Sequence, residues 1–136
     1  MHYMKWFTPA FAGEMDLAEC RRVVEEYQVH LAAMLRCAPR EIREFANAAS
    51  LHDGLVRRFS TSIDAVEMSV RVESHLLDME FRNARAIPAA LHGDTGILFE
   101  ELDRIADAYE IRFLMGDLSE MSIIFDSLRW MLRPEA

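Results

Sequence analysis

His52 and Asp53 are the pair in this chain best suited to chemistry. An imidazole beside a carboxylate can serve as a general base or ligate a metal. The same residue types also build turns. Asp53 before Gly54 can close one, leaving His52 packed and hydrogen-bonded, and this is the simpler reading of Leu51-His52-Asp53-Gly54. Glu100 and Glu101 form a second pair that looks like acid–base equipment. Adjacent side chains on a strand point to opposite faces, and on a helix they diverge by about 100°, so the two cannot line one site together. One of them facing inward would need a cation such as Arg57 or Arg112 and would then be structural. His52, Asp53 and Glu100 are therefore kept as candidate binding residues, and no catalytic residue is assigned.

A metal site needs three or four converging ligands. His75 and His92 fall in expected loops, with nothing in their spacing to bring them to His52. Gly93-Asp94-Thr95-Gly96 lacks the lysine and the following helix of a phosphate-binding loop. No Gly-x-Ser-x-Gly elbow is present. Neither a metal nor a cofactor is expected. Met68, Met79, Met115 and Met121 fall on apolar strand phases, where methionine fills a core rather than lining an adaptable surface.

The elements that must position these residues divide the chain in two. Residues 1–50 read as helical cover. Leu17, Cys20, Val24, Tyr27, Leu31 and Met34 recur at steps of three and four, which is one stripe of a long helix over about 14–38. Pro39 stops it and opens a short helix to about residue 49, with Ile42 and Phe45 inward. Residues 4–12, around Trp6, Phe7, Pro9 and Phe11, read as an extended piece or lid, too short for a helix. From Leu51 the period changes to two. Val66, Met68, Val70 and Val72 alternate with Glu67, Ser69, Arg71 and Glu73. Further strands are expected near 55–60, 76–82, 97–102, 109–115 and 121–125, the last continuing or restarting through Leu128, Trp130 and Leu132. The pattern is lost over 83–96, where one helical turn near 89–92 is conceivable. Residues 98–108 spell a helix as well as a strand. The expected fold is a single α+β domain over 1–136, with one long and one short N-terminal helix packed on an antiparallel sheet of five or six strands.

Composition narrows the functional classes. Fifteen basic and 23 acidic residues give a formal charge of −8. Unspecific attraction to nucleic acid or anionic lipid is disfavoured; a basic protein partner would be attracted, although acidity is also a common route to solubility and that is the simpler reading of the charge. No apolar run approaches the ~20 residues of a membrane helix, and the first residues do not resemble a signal peptide. A cytoplasmic location is expected. Cys20 and Cys37, about 25 Å apart if the long helix is continuous, are expected to be free thiols.

With these pieces placed, the chain resembles an uncharacterised bacterial family, domain of unknown function 4085. The resemblance is carried by Met4-Lys5-Trp6-Phe7-Thr8, Leu51-His52-Asp53 and Phe99-Glu100-Glu101, in that order, and by a closing strand pair. Trp6 and Phe99 stand where tyrosine is usual. The resemblance implies a small α+β protein and a strand at 97–104, and it supplies no activity. The functional expectation is a small acidic protein-binding domain, of which an immunity protein neutralising a basic toxin is one form. Alternatives are a small-molecule binder using the cleft between helix and sheet, and a hydrolase-type enzyme built on His52 and Asp53.

Overall fold

The computed structural model describes residues 2–48, 50–91 and 95–135, which form three helices followed by eight strands. Helix α1 (Pro9–Gly13) is a single turn, where the sequence suggested none. It forms because two start signals coincide: Thr8 accepts a hydrogen bond from the Phe11 N–H at 3.2 Å, and Pro9 occupies the first helical position. Helix α2 (Leu17–Leu35) starts behind Asp16, whose carboxylate accepts from the Glu19 N–H at 2.9 Å. Helix α3 (Arg40–Ala48) buries Ile42 and Phe45. The stripe on α2 is inward only along its later turns. Tyr27 and Met34 are buried, Val24 and Leu31 half-buried, and Leu17 is 68% exposed. Leu17 sits in the first turn, which carries no buried residue.

The strands are β1 (Leu55–Thr61), β2 (Ala65–Val72), β3 (His75–Arg82), β4 (Arg85–Ile87), β5 (Ile97–Ile105), β6 (Ala108–Met115), β7 (Glu120–Phe125) and β8 (Ser127–Pro134). They do not make one sheet of five or six strands. They make two antiparallel sheets of four, in the orders β1-β2-β3-β8 and β4-β7-β6-β5. Two features account for the difference. Asp126 separates β7 from β8, and its N–H donates to the Arg82 carbonyl at 3.0 Å, so β8 leaves its neighbour and pairs with β3. The short strand β4 lies in the stretch where alternation was lost and pairs with β7. The ambiguous residues 97–105 are strand, paired with β6.

The two sheets share one core. Phe81 of β3 meets Phe125 of β7 with ring centroids 4.9 Å apart. Met68, Met79, Met115 and Met121 are buried within it, and Met34, Ile42 and Phe45 join it from the helices, with Ala38 from the turn between α2 and α3. A bridge between Leu55 and Gly96 links the edges β1 and β5. Helix α2 packs on β5 and α3 on β8, where Phe45 meets Trp130 edge-on. The outer faces differ. Residues 2–7 run over that of the second sheet, whereas among the described residues no helix covers that of the first. Among the described residues no helix is long and apolar enough to cross a membrane.

Candidate binding sites

The Leu51-His52-Asp53-Gly54 stretch is a turn, closed by the Gly54 N–H donating to the Leu51 carbonyl at 2.9 Å. Asp53 holds φ at 61°, a left-handed conformation that aspartate tolerates better than most residues. Gly54 is required by space: a Cβ there would lie 2.5 Å from Val70 Cγ1. His52 stacks on Phe99, centroids 4.9 Å apart, and its Nδ1 hydrogen-bonds the Leu98 carbonyl. Its Nε2 lies 3.3 Å from Asp53 Oδ2 in an exposed pair. Glu100 Oε1 accepts from the Leu51 N–H at 3.2 Å. The three candidate residues are thus brought together, by main-chain hydrogen bonds and stacking that dock one chain segment on another. His75 lies in β3 beside Ser74, and His92 falls outside the described residues. Among the described residues no group of three or more His, Cys, Asp or Glu is placed to hold a metal ion.

Glu100 and Glu101 point to opposite faces of β5, as strand geometry requires. Glu101 stands opposite Arg112 of β6, which stands opposite Ser122 of β7, on the outer face of the second sheet. All three are buried. Glu101 accepts from Arg112 Nε at 2.8 Å and from the main-chain N–H groups of Lys5, Trp6 and Phe7. The same guanidinium bonds Asp103 at 3.0 Å and Glu110, while Ser122 donates to Glu110 at 2.6 Å. Glu120 accepts from the N–H groups of Tyr3 and Met4, each at 2.6 Å, and pairs with His2. Burial opposes ionisation of Asp103 and Glu120, yet these donors hold both carboxyls below their ordinary values. The N-terminal segment has no strand partner, so buried carboxylates take up its orphan amides. The network is structural, and it binds residues 2–7 to the sheet.

Glu100 faces inward, opposite Phe113. It lines a cleft of about 250 Å³ between α2, α3 and the inner side of β5 and β6, with Phe7, Tyr27, Leu31, Phe45 and Phe99 among its walls. Burial pushes its carboxyl above the ordinary value, against the lowering effect of the Leu51 N–H.

A large concavity lies on the open face of the first sheet. Arg58, Ser69, Asp78 and Met131 stand side by side across the four strands, and so do Ser60, Glu67, Glu80 and Arg129. The row between them, Phe59, Met68, Met79 and Trp130, is on the opposite, core-facing side. A groove of about 720 Å³ therefore runs between the two outward rows, with Leu91 and Arg133 also in its lining. Asp78 accepts from Arg133 and from the Ser69 hydroxyl, both at 2.6 Å; the Arg133 bond is the main reason its carboxyl lies below the ordinary value. Glu80 is held by Arg82 at 2.6 Å. Arg129 is exposed and makes no ion pair with a described residue, and Met131 is 59% exposed. In the sequence these residues carry only the polar phase of an alternating pattern, which is what an ordinary solvated face also spells.

Comparisons with protein-family models, with curated proteins and with solved structures return no match.

Proposed function

We propose that the protein is a binding module that captures an extended segment of another protein on the outer face of its first sheet. The observation that carries this reading is the groove of about 720 Å³ on the sheet face that no helix among the described residues covers. Four strands span roughly 15 Å at about 4.8 Å per gap, which suits four or five residues of extended chain. Exposed Met131 offers an apolar contact, and Arg129 offers a guanidinium with no internal partner among the described residues. Acidic groups on the occupant would answer that arginine.

This takes an acidic contact segment in place of the basic partner suggested by net charge. Part of the −8 is out of a partner's reach, since Glu101, Asp103, Glu110 and Glu120 are buried with Arg112. Salt screens exposed charges beyond about 8–10 Å, so the groove's own charges count for more than the distant acids, and its lining carries Arg57, Arg58, Arg129 and Arg133 against Glu67, Asp78 and Glu80. The free thiols of Cys20 and Cys37 suit a reducing, cytoplasmic setting.

The test is affinity capture from the native cell with wild type, Arg129→Glu and the helix-surface control Arg22→Glu as baits. One protein should be retained by wild type and Arg22→Glu and lost with Arg129→Glu. Equal capture by all three baits would contradict the reading.

A further inference from the structure

We propose that the cleft between α2, α3 and β5 is a second, separate site, which binds a small primary amine with an apolar body, its ammonium on Glu100 and its body among Phe7, Tyr27, Phe45 and Phe99. The cleft measures about 250 Å³, below the 300–1,000 Å³ usual for drug-sized ligands, so its occupant is a single ring or a short chain.

The choice of an amine comes from comparing two adjacent glutamates. Glu101 has a guanidinium and three main-chain N–H groups as donors. Glu100 is half-buried in the cleft and has the Leu51 N–H and its own main-chain N–H, with no arginine or lysine paired to it among the described residues. The nearby His52 ring is already engaged with the Leu98 carbonyl and stacked on Phe99. Burial holds its carboxyl above the ordinary value, against the lowering effects of the Leu51 N–H and of nearby His52, and no cation is hydrogen-bonded to it among the described residues. An ammonium group supplies the missing charge. Aromatic faces add attraction for the same cation, because each ring presents negative charge on its face. A ligand carboxylate would meet Glu100 as a like charge, and a neutral ligand would leave it uncompensated.

The probe is benzylamine at pH 7, set against benzyl alcohol and benzoate, which keep the ring and lose the positive charge. Binding is read by amide chemical-shift titration of the full chain. Benzylamine should saturate, with the largest shifts at residues around the cleft. Benzyl alcohol should bind at least tenfold more weakly, and benzoate should not saturate. Glu100→Gln keeps an acceptor for the Leu51 N–H and should lower benzylamine affinity at least tenfold, leaving that for benzyl alcohol unchanged. Ala46→Phe, which fills the cleft without changing charge, should abolish binding of both. Absence of saturable benzylamine binding would overturn the proposal, as would equal affinity for benzyl alcohol or unchanged affinity in a folded Glu100→Gln. If that variant does not fold, the wild-type comparison of benzylamine with benzyl alcohol decides alone.

Discussion

Glu101 and Arg112 face each other across β5 and β6 at 2.8 Å, with both side chains almost wholly withdrawn from solvent. The pair sits beneath the main chain of residues 5–7, whose amides share the same carboxylate. Removing one partner of a buried pair leaves the other charge uncompensated, which costs about 3–5 kcal/mol. Arg112→Met should therefore destabilise the fold by about that amount in urea unfolding, and Glu101→Ala should do the same while freeing residues 5–7. Proteolysis confined to the N-terminal segment in Glu101→Ala would be the local signature.

The neighbouring glutamate should behave in the opposite way. The folded-state carboxyl of Glu100 lies above its ordinary value of 4.5, so its contribution is most favourable below that pH and is lost as pH rises through the folded value. Glu100→Gln removes the loss. The variant should be more stable than wild type at pH 7, and the advantage should vanish below about pH 4, as followed by urea unfolding across pH.

Asp78, Asp103 and Glu120 carry the reverse sign. Their carboxyls are lowered in the folded state, so the stability they contribute is present above their ordinary values of 3.8, 3.8 and 4.5 and is lost as pH falls through the lower folded values. Carbon NMR titration should place these three midpoints below the ordinary values and that of Glu100 above. Arg133→Ala removes the main cause at Asp78 and should move its midpoint upward.

Tyr27 closes the seam between α2 and β5. Its hydroxyl accepts from the Leu102 N–H at 2.7 Å, and burial pushes the phenol far above its ordinary value. Tyr27→Phe keeps the ring and leaves that buried amide unpaired, at a cost of about 1–3 kcal/mol. Chemical denaturation gives the size, and faster hydrogen exchange at Leu102 would identify the cause.

Much of the fold was legible wherever one physical signal acted alone. Alternation placed Val66, Met68 and Val70 on a buried face, and the two carboxylates of β5 do point apart. The turn reading of His52 and Asp53 holds, because local hydrogen bonding and the tight approach at Gly54 decide it. Alternation reports which face of a strand is apolar and is silent about what covers that face, so the strands of two facing sheets read as one sheet under helical cover. The stripe on α2 carried Leu17 as readily as Tyr27, although only the later turns reach the core. Arg112 is one of the two arginines expected to pair with a glutamate of β5, and it does pair with Glu101, but the rest of its network was hidden for a related reason. Glu101, Glu110 and Arg112 occupy the polar phase of their strands and look solvated until residues 2–7 cover them. The three motifs around residues 4–8, 51–53 and 99–101 are one unit in space: Phe7 and His52 both stack on Phe99, and Glu100 and Glu101 bond the other two segments. Sequence order alone did not reveal that contact.

The central claim, capture of a partner on the open face of the first sheet, is tested most directly by a photo-crosslinking residue placed in the living cell. Met131, in the groove, and Val29, on α2, are both well exposed and tolerate such a residue without loss of packing. Irradiation should join the Met131-labelled protein to one discrete partner, identified by mass spectrometry, and the Val29-labelled protein to none. The crosslink should disappear when Arg129→Glu is added. A partner crosslinked from Val29 and not from Met131, or a Met131 crosslink indifferent to Arg129→Glu, would contradict the account.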